Sequence, residues 1–375
     1  MDRRKVIASL AAALLFAALV APVQARATDA HRAFATPFRG PLVPSLVYVA
    51  SPPTNSINAY ASDSSGNAPP VLSIAGSRTG LDGPVGLTFD SAGRLYVVNH
   101  GASSSVTVYA PFAHGNVAPL STLAGPQTGL NAQASPPDYP TGAIAVDLAH
   151  NRMFVARVSQ EQAPLNGTVL VFSATASGNQ APIGSIGKPD SLASALYGTW
   201  MSPSLGFDVG GQELVVGTSL NACCNASDGW NYYRASDLAI GTRFSYWEND
   251  GLAGFAIAPL SSEVIAAYAG KLNVWPANVS GTNNCVGAGP PCVADVPLLV
   301  LSDPLGAGFS AVAVDTGDTI WGLSGSSTLE AFPRGSTAPR TITGLIGAAA
   351  IAVMPLPRGA PCSRPGLCGR SPISR

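Results

Sequence analysis

Short apolar segments recur along this chain with a period of about 55 residues, which few folds can accommodate. Within each repeat, one apolar run ends in most copies at an Asp, a short turn follows, and a second apolar run begins. Strand-like segments at a fixed period of this length are typical of β-propeller blades. The first run recurs at residues 87–90, 144–147, 205–208, 255–258 and 312–315.

Three copies of the repeat also share a loop that contains a Gly-Asn pair. The loops are residues 66–69, 115–119 and 178–182, and each ends in Ala-Pro between two further apolar segments. The first two loops are followed by Thr-Gly-Leu, at 79–81 and 128–130. This common order indicates that the copies are one structural unit with four strands.

The repeats also indicate how the ring closes. The second strand of the pair starts near residues 46, 95, 153, 214, 264 and 320, which makes six copies. The first strand at 348–353 has no partner after it, and the strand at 46–51 has none before it. We therefore predict an all-β, six-bladed β-propeller over residues 45–355, with four-stranded blades and a ring closed by pairing of these two strands, which leaves no free edge.

The ends of the chain differ from the repeats. Residues 1–25 have a basic start, an apolar run and a Val23-Gln24-Ala25 cleavage pattern, which predicts a signal peptide for either the general or the twin-arginine export route. Residues 26–44 and 356–375 lack strand periodicity, so we expect a flexible N-terminal segment and a Cys-containing tail. The mature protein is then secreted, periplasmic or held at the cell surface, with no membrane span.

Composition restricts the partners. With 20 Lys and Arg against 21 Asp and Glu, the formal net charge is −1 and no basic stripe is present, so nucleic acid is excluded. We expect a monomer without a cofactor whose partner is a small molecule, a glycan or a protein.

The repeat resembles that of the NHL-type and gluconolactonase-like six-bladed propellers. The resemblance covers residues 46–355 and is carried by Pro-Val-Gly-Leu-Thr-Phe-Asp at 84–90, Leu-Tyr-Val-Val-Asn at 95–99 and Val-Thr-Val-Tyr at 106–109. It implies that the strand closed by Asp is innermost and that the loops following its neighbour open around a central channel. It does not imply a chemistry, since propellers host many functions.

The resemblance also offers a test for hydrolysis. Gluconolactonase-like enzymes hold a divalent cation with Glu, Asn and Asp side chains at the channel mouth. Only Asn99 fits that set here, and Arg157 would repel a cation. No Gly-x-Ser-x-Gly nucleophile motif is present. We therefore expect no catalytic and no metal-binding residues. The residues that close the second strands are Ser51, Asn99, Arg157, Thr218, Tyr268 and Ser324.

The four Asp residues that close first strands have two interpretations. They could form a ring of metal ligands, or each could accept hydrogen bonds from its own turn, as Asp does in Asx turns. Their position directly before a turn favours the second interpretation. The residues are Asp90, Asp147, Asp208 and Asp315.

Long loops in the middle blades predict a binding surface at the channel mouth, since loops longer than a connection requires are often functional. Aromatic rings with polar neighbours suit sugars or flat organic ligands, although they could also fill an irregular fourth blade. Arg157 would bind a carboxylate or phosphate, or else form a salt bridge to Glu161 or Asp138. The predicted ligand-binding residues are Asn99, His100, Tyr139, Arg157, Trp200, Trp230 and Trp247.

Six cysteines in an exported chain favour disulfides. Local pairing would join Cys285 to Cys292 and Cys362 to Cys368. Cys223 and Cys224 are then either bonded to each other or reduced. The sequence leaves the connectivity open.

These features predict an exported, non-catalytic binding protein. Three alternatives stay open: a degenerate lactonase-like hydrolase, a redox protein that uses a vicinal disulfide at Cys223 and Cys224, and a surface scaffold with no small ligand.

Overall fold

The computed structural model describes residues 45–130, 139–159, 166–187, 204–208, 210–222, 225–246, 252–268, 270–277, 281–282 and 297–354. Short strands form because runs of Val, Ile, Leu, Phe and Tyr alternate with turns rich in Gly, Pro and Asp. Two single-turn 3-10 helices lie at Pro52–Thr54 and Pro126–Thr128. Within these ranges, we find no helix with the length and hydrophobicity that a bilayer crossing requires.

The first half of the described chain contributes eleven strands. They are β1 (Leu46–Ser51), β2 (Ser56–Ala61), β3 (Leu72–Ala75), β4 (Pro84–Phe89), β5 (Leu95–Asn99), β6 (Ser105–Tyr109), β7 (Ser121–Ala124), β8 (Tyr139–Asp147), β9 (Arg152–Ser159), β10 (Asn166–Ser173) and β11 (Gly184–Ile186).

The second half contributes the remaining strands, including the one that closes the ring. They are β12 (Leu205–Phe207), β13 (Glu213–Ala222), β14 (Asn225–Arg234), β15 (Ile240–Tyr246), β16 (Gly254–Ile257), β17 (Val264–Tyr268), β18 (Lys271–Trp275), β19 (Gly281–Thr282), β20 (Leu299–Ser302), β21 (Phe309–Val314), β22 (Ile320–Ser324), β23 (Thr328–Phe332), β24 (Arg340–Ile342) and β25 (Ala350–Met354).

These strands form six sheets, which are the blades of a propeller. From channel to rim, blade 1 has the order β25-β1-β2-β3, and blades 2 and 3 have β4-β5-β6-β7 and β8-β9-β10-β11. Blade 4 has β12-β13-β14-β15, blade 5 has β16-β17-β18-β20, and blade 6 has β21-β22-β23-β24. The predicted fold is confirmed, with one addition: the two-residue strand β19 pairs in parallel with β15 at the outer edge of blade 4.

Ring closure occurs as predicted. β25 and β1 are antiparallel, and Leu46 lies opposite Met354 while Ala50 lies opposite Ala350. The side chains of β1 are buried on both faces, against blade 6 on one side and blade 2 on the other. The first and last described strands therefore complete one blade, and each of the six described blades has an inner strand.

The hydrophobic core lies between the blades, where side chains of adjacent sheets interdigitate. Between blades 4 and 5, Trp230 packs at a ring-centroid distance of 6.3 Å from Trp275 and 6.3 Å from Phe255. Between blades 5 and 6, Phe309 and Phe332 form an edge-to-face pair at 6.3 Å. Each of these large rings buries a large apolar area at its interface.

The shared Gly-Asn loops have a structural role that their sequence did not reveal. Each loop leaves the third strand of its blade and pairs with the outermost strand of the preceding blade. The N–H of Gly115 donates to the carbonyl of Ser73 at 2.6 Å, and the N–H of Gly178 donates to that of Thr122 at 2.7 Å. Gly66 makes the same contact with Thr341 at 2.8 Å. The motif therefore joins neighbouring blades.

Candidate functional site

The central channel is a cavity of about 320 Å³ lined by the first strands of all six blades and the residues next to them. Its walls come from short stretches of the chain that lie around one axis. The lining residues are Val85, Gly86, Leu87, Thr88, Gly142, Ala143, Ile144, Ser204, Leu205, Ala253, Phe255, Ser310, Ala311, Val312, Ala349, Ala350 and Ile351.

The chemistry of the channel is set by the main chain and a few hydroxyl groups. Every first strand is the inner edge of its sheet, so its inward N–H and C=O groups are not used by the strand ladder. Thr88, Ser204 and Ser310 add hydroxyls, of which Ser204 accepts the N–H of Phe255 at 2.8 Å and Ser310 donates to the carbonyl of Gly325 at 2.9 Å. No ionisable side chain is among the lining residues. Such a wall can exchange hydrogen bonds with a neutral molecule but offers no counterion to a charged one.

The channel wall is tightest where blades 2 and 3 meet. A Cβ atom on Gly86 would lie 1.8 Å from the carbonyl oxygen of Gly142, and one on Gly142 would lie 2.4 Å from that of Val85. Only glycine allows the two strands to approach this closely.

Of the six residues predicted to close the second strands, Thr218 and Arg157 lie inside longer strands, and the described side chains of Ser51, Asn99, Arg157, Tyr268 and Ser324 do not line the channel. Where the side-chain contacts of these residues are described, they include a bond to the linker between the preceding blade and their own blade. The Ser51 hydroxyl donates to the carbonyl of Ile346, and the Ser324 hydroxyl donates to Asp303 at 3.0 Å. Their side chains therefore hold neighbouring blades together.

Asn99 is fully buried and has the same role in blade 2. Its Oδ1 accepts the N–H of Asp82 at 3.2 Å, and its Nδ2 donates to Ser105 at 3.2 Å and to Thr107 at 3.1 Å. This amide holds the linker to strands β5 and β6. Its contacts lie within the protein, which differs from the predicted position at an open channel mouth.

Arg157 was predicted to close the second strand of blade 3, but β9 continues to Ser159, so Arg157 lies within the strand, opposite Pro140 and Thr168. Its side chain is 7% exposed, and Nη1 donates to the carbonyl of Gly129 at 2.9 Å. Gly129 belongs to the Thr-Gly-Leu linker that enters blade 3. The guanidinium therefore contacts that linker, while Asp138 and Glu161, its proposed salt-bridge partners, lie outside the described residues.

His100 is the predicted site residue that the structure places on the surface. Its N–H donates to the carbonyl of Gly83 at 2.8 Å, and its Nδ1 lies 3.5 Å from the Ser104 hydroxyl. Gly83 directly precedes β4, so His100 lies beside the channel mouth. Asn55 from blade 1 accepts the N–H of Gly83 at 2.7 Å and completes this part of the mouth.

Trp230 is fully buried, and its Nε1 donates to the Tyr232 hydroxyl at 2.9 Å. The Trp230 ring therefore fills the interface between blades 4 and 5. This agrees with the interpretation in which the aromatic rings fill an irregular fourth blade. Tyr139 begins β8, opposite Val158. The other predicted residues lie outside the described residues: Trp200, Trp247, Cys223, Cys224, Cys285, Cys292, Cys362 and Cys368.

The turn role of the Asp residues is confirmed. Asp90 Oδ1 accepts the N–H groups of Ala92 and Arg94, each at 2.9 Å. Asp315 Oδ1 accepts those of Gly317 and Thr319 at the same distances. Asp208 binds two N–H groups of its turn, and Asp147 binds one. In the described part of the chain, no three His, Cys, Asp or Glu side chains group as they would around a metal ion.

Glu330 is a buried acidic residue that the sequence did not single out. Glu330 lies in β23 and is 0% exposed. Burial, together with the neighbouring Asp303 carboxylate, raises the pKa of Glu330 to about 7. The repeat contained a signal for this residue. Glu330 is ionisable, whereas the same position of the corresponding strand is Thr107 in blade 2 and Asn273 in blade 5.

Comparison with known proteins adds no assignment to this chain. No protein-family model matches the chain, and no curated protein matches it. A protein of unknown function from Bacteroides caccae is similar, with 9% identity, a TM-score of 0.48 and coverage of 83% of this chain and 99% of that one. A protein from Lactobacillus plantarum has 12% identity, a TM-score of 0.48 and coverage of 83% and 99%.

A third similar structure is Kuenenia stuttgartiensis hydrazine synthase, with 10% identity, a TM-score of 0.48 and coverage of 80% of each chain. The class of this protein, a six-bladed β-propeller, follows from its own strand topology.

Proposed function

We propose that this protein is an exported, non-catalytic binding protein that holds a small uncharged polar molecule in its central channel. The observation that carries the proposal is the cavity of about 320 Å³, to which all six blades contribute. Small-molecule sites have volumes of roughly 300–1,000 Å³ and combine apolar walls with a few polar groups. The channel has this size, and its exposed surface is mainly polar.

The preference for an uncharged ligand follows from the walls. Moving an ion from water into a site without a counterion is expensive. Main-chain N–H and C=O groups instead match hydroxyl and amide groups, which both donate and accept hydrogen bonds. His100 lies at the mouth, where a longer ligand would pass its exposed imidazole.

Binding can be tested by ligand-observed NMR with neutral sugars and uncharged amides, alongside a matched set of carboxylates and amines. We expect signals from neutral compounds only. Ala349 lines the channel beside blade 1, so Ala349→Trp should fill it and remove the signals, as should Ala253→Phe from the part of the lining next to blade 5. Ala338→Trp is the control, because Ala338 lies in an exposed turn of blade 6.

Persistent binding in folded Ala349→Trp and Ala253→Phe would place the ligand elsewhere. Binding of carboxylates alone would contradict the neutral channel and favour a cationic site such as Arg157.

Export is tested separately. Expression of the full chain in a bacterium with fractionation should yield a protein outside the cytoplasm whose N-terminus follows Ala25. Retention of residues 1–25 on the recovered protein would contradict the signal peptide.

A further inference from the structure

Two carboxyl groups meet inside the protein where blade 6 contacts blade 5. Glu330 lies in the middle of β23, opposite Gly322 on β22 and Thr341 on β24. Asp303 lies in the linker between β20 and β21, and its N–H donates to the carbonyl of Gly270 in blade 5 at 3.0 Å. Ser324, two residues from Gly322 along β22, donates its hydroxyl to Asp303 at 3.0 Å, so the two carboxyl groups are neighbours on this face of the sheet.

Asp303 is held as a carboxylate by three donors. Oδ1 accepts the N–H of Leu305 at 2.7 Å, and Oδ2 accepts the N–H of Gly308 at 2.7 Å and the hydroxyl of Ser324 at 3.0 Å. Burial alone would raise the pKa of Asp303, but these hydrogen bonds lower it below its ordinary value. Asp303 occupies the linker position that Thr79 and Thr128 occupy in the linkers to blades 2 and 3. In those linkers the Thr hydroxyl likewise accepts the N–H of the residue two positions later.

Glu330 has no such donors. Within the described residues, no N–H or O–H group bonds to Oε1 or Oε2. Phe332, two residues along the same face, packs against blade 5, and Phe309 fills the space beside Gly322. A carboxylate in these surroundings would be unsolvated and next to a second negative charge.

Neighbouring cations face other directions. Arg340 on β24 bonds to the carbonyl of Ser64 in blade 1 and lies on the opposite face of the sheet. Lys271 on β18 lies over the ring of Tyr268, with Nζ 5.7 Å from its centroid. The residues of β18 and β20 that pack toward blade 6 are apolar: Leu272, Val274, Leu299 and Leu301. Asp303 is therefore the titratable group that faces Glu330 in the described part of the chain.

We propose that Glu330 and Asp303 form a proton-binding site between blades 5 and 6, in which Glu330 takes up a proton and donates it as a hydrogen bond to Asp303. The proton comes from solvent and returns to it, with no other bond made or broken. Protonated, the pair joins β23 to the linker at 303–308. Deprotonated, it places two neighbouring carboxylates in a buried site.

The linker couples this site to the channel. Gly308, which donates to Asp303, directly precedes β21, and Ser310, Ala311 and Val312 of β21 line the channel. Loss of the proton should therefore loosen one segment of the channel wall. This coupling does not depend on the identity of a channel ligand, so the experiments below test it without one.

The test compares wild type, Glu330→Gln and the control Glu263→Gln across pH values from about 5.5 to about 8.5 in EDTA. Glu263 is a partly exposed glutamate of blade 5, bonded to Ser261. Because the pKa of Glu330 is raised, the folded state binds the extra proton, so stability is greatest at the acidic end and falls as the pH rises through about 7. We expect the folding equilibrium constant of wild type and Glu263→Gln to fall by about 30-fold over this pH range, mostly below the pKa of about 7.

Glu330→Gln should lack most of this decrease, because its amide donates to Asp303 at every pH. Hydrogen exchange, corrected for its intrinsic pH dependence, should show faster exchange of residues 303–309 at the alkaline end in wild type and not in Glu330→Gln. If Glu330→Gln does not fold, Glu330→Thr, which copies Thr107 of blade 2, provides the second variant.

Parallel pH profiles for wild type and for Glu330→Gln or Glu330→Thr would overturn the proposal. So would a stabilisation of wild type by calcium or sodium chloride at alkaline pH that Glu330→Gln lacks, since the pair would then bind a metal cation.

Discussion

Asn116 in blade 2 accepts the main-chain N–H of Arg78 in the linker that leaves blade 1, with a distance of 2.7 Å between Oδ1 and N. Asn179 repeats the contact one blade later, with the N–H of Gln127 at 2.7 Å. The Asn of the repeated Gly-Asn loop therefore bonds to the preceding blade.

Replacing this Asn should weaken the joint between blades. We expect Asn116→Ala and Asn179→Ala each to lower the free energy of unfolding by about 0.5–1.5 kcal/mol, the net contribution of one hydrogen bond. Urea denaturation measures the change. Asn116→Asp keeps the acceptor and should retain most of the stability; equal losses in Asp and Ala variants would show that the contact contributes little.

The contact of Gly86 with Gly142 makes a steric prediction. Gly86→Ala places a methyl group against a carbonyl oxygen and should cost roughly 3 kcal/mol or prevent folding. Gly206→Ala is the control on another first strand, because its Cβ would lie 3.5 Å from Phe255, an ordinary contact distance. Similar melting temperatures for the two variants would contradict the close approach of blades 2 and 3.

Ring closure can be tested by truncation. Removing residues 347–375 deletes β25, which exposes the buried side chains of β1 and leaves blade 1 without its inner strand, so we expect loss of the cooperative thermal transition. Removing only residues 357–375 keeps β25 and should preserve that transition by circular dichroism. A full-length melting profile from the longer truncation would refute the closure.

The Asp turns should differ in strength with their burial. Asp90 is buried and accepts two N–H groups, the Arg94 guanidinium at 2.6 Å and the Tyr96 hydroxyl at 3.2 Å. Asp208 is partly exposed and binds two N–H groups of its turn. We expect Asp90→Ala to cost about 3 kcal/mol and Asp208→Ala about 1 kcal/mol in chemical denaturation. The reverse order would contradict this account.

Asn99 and His100 are adjacent in sequence but should respond differently. Asn99→Ala leaves its buried partners unsatisfied and should lower stability by roughly 1–3 kcal/mol. His100→Ala changes an exposed side chain and should stay within about 0.5 kcal/mol of wild type. Calorimetry distinguishes the two, and a ligand affinity changed by His100→Ala alone would then report contact at the channel mouth.

The repeat predicted the blades, the closure by β25 and the Asp turns, because each depends on local spacing and turn chemistry. The role of Asn99 was not predicted, and the sequence did not decide between the two interpretations of Trp230. Sequence position shows that a residue ends a strand, but burial depends on the linker or blade that packs over it. The Gly-Asn loop was recognised as a repeat, but its pairing partner lies in the preceding blade, which no local pattern identifies.

The contact of Tyr48 with Met354 joins residues 306 positions apart, with 3.8 Å between the hydroxyl and Sδ. A ribosome therefore releases the inner strand of blade 1 only after it has synthesised the other five blades. Until then, the first strands made have no inner partner, and the ring stays open. Because long-range pairing of this kind slows folding, the newly made chain should stay open until synthesis ends and close in its last folding step.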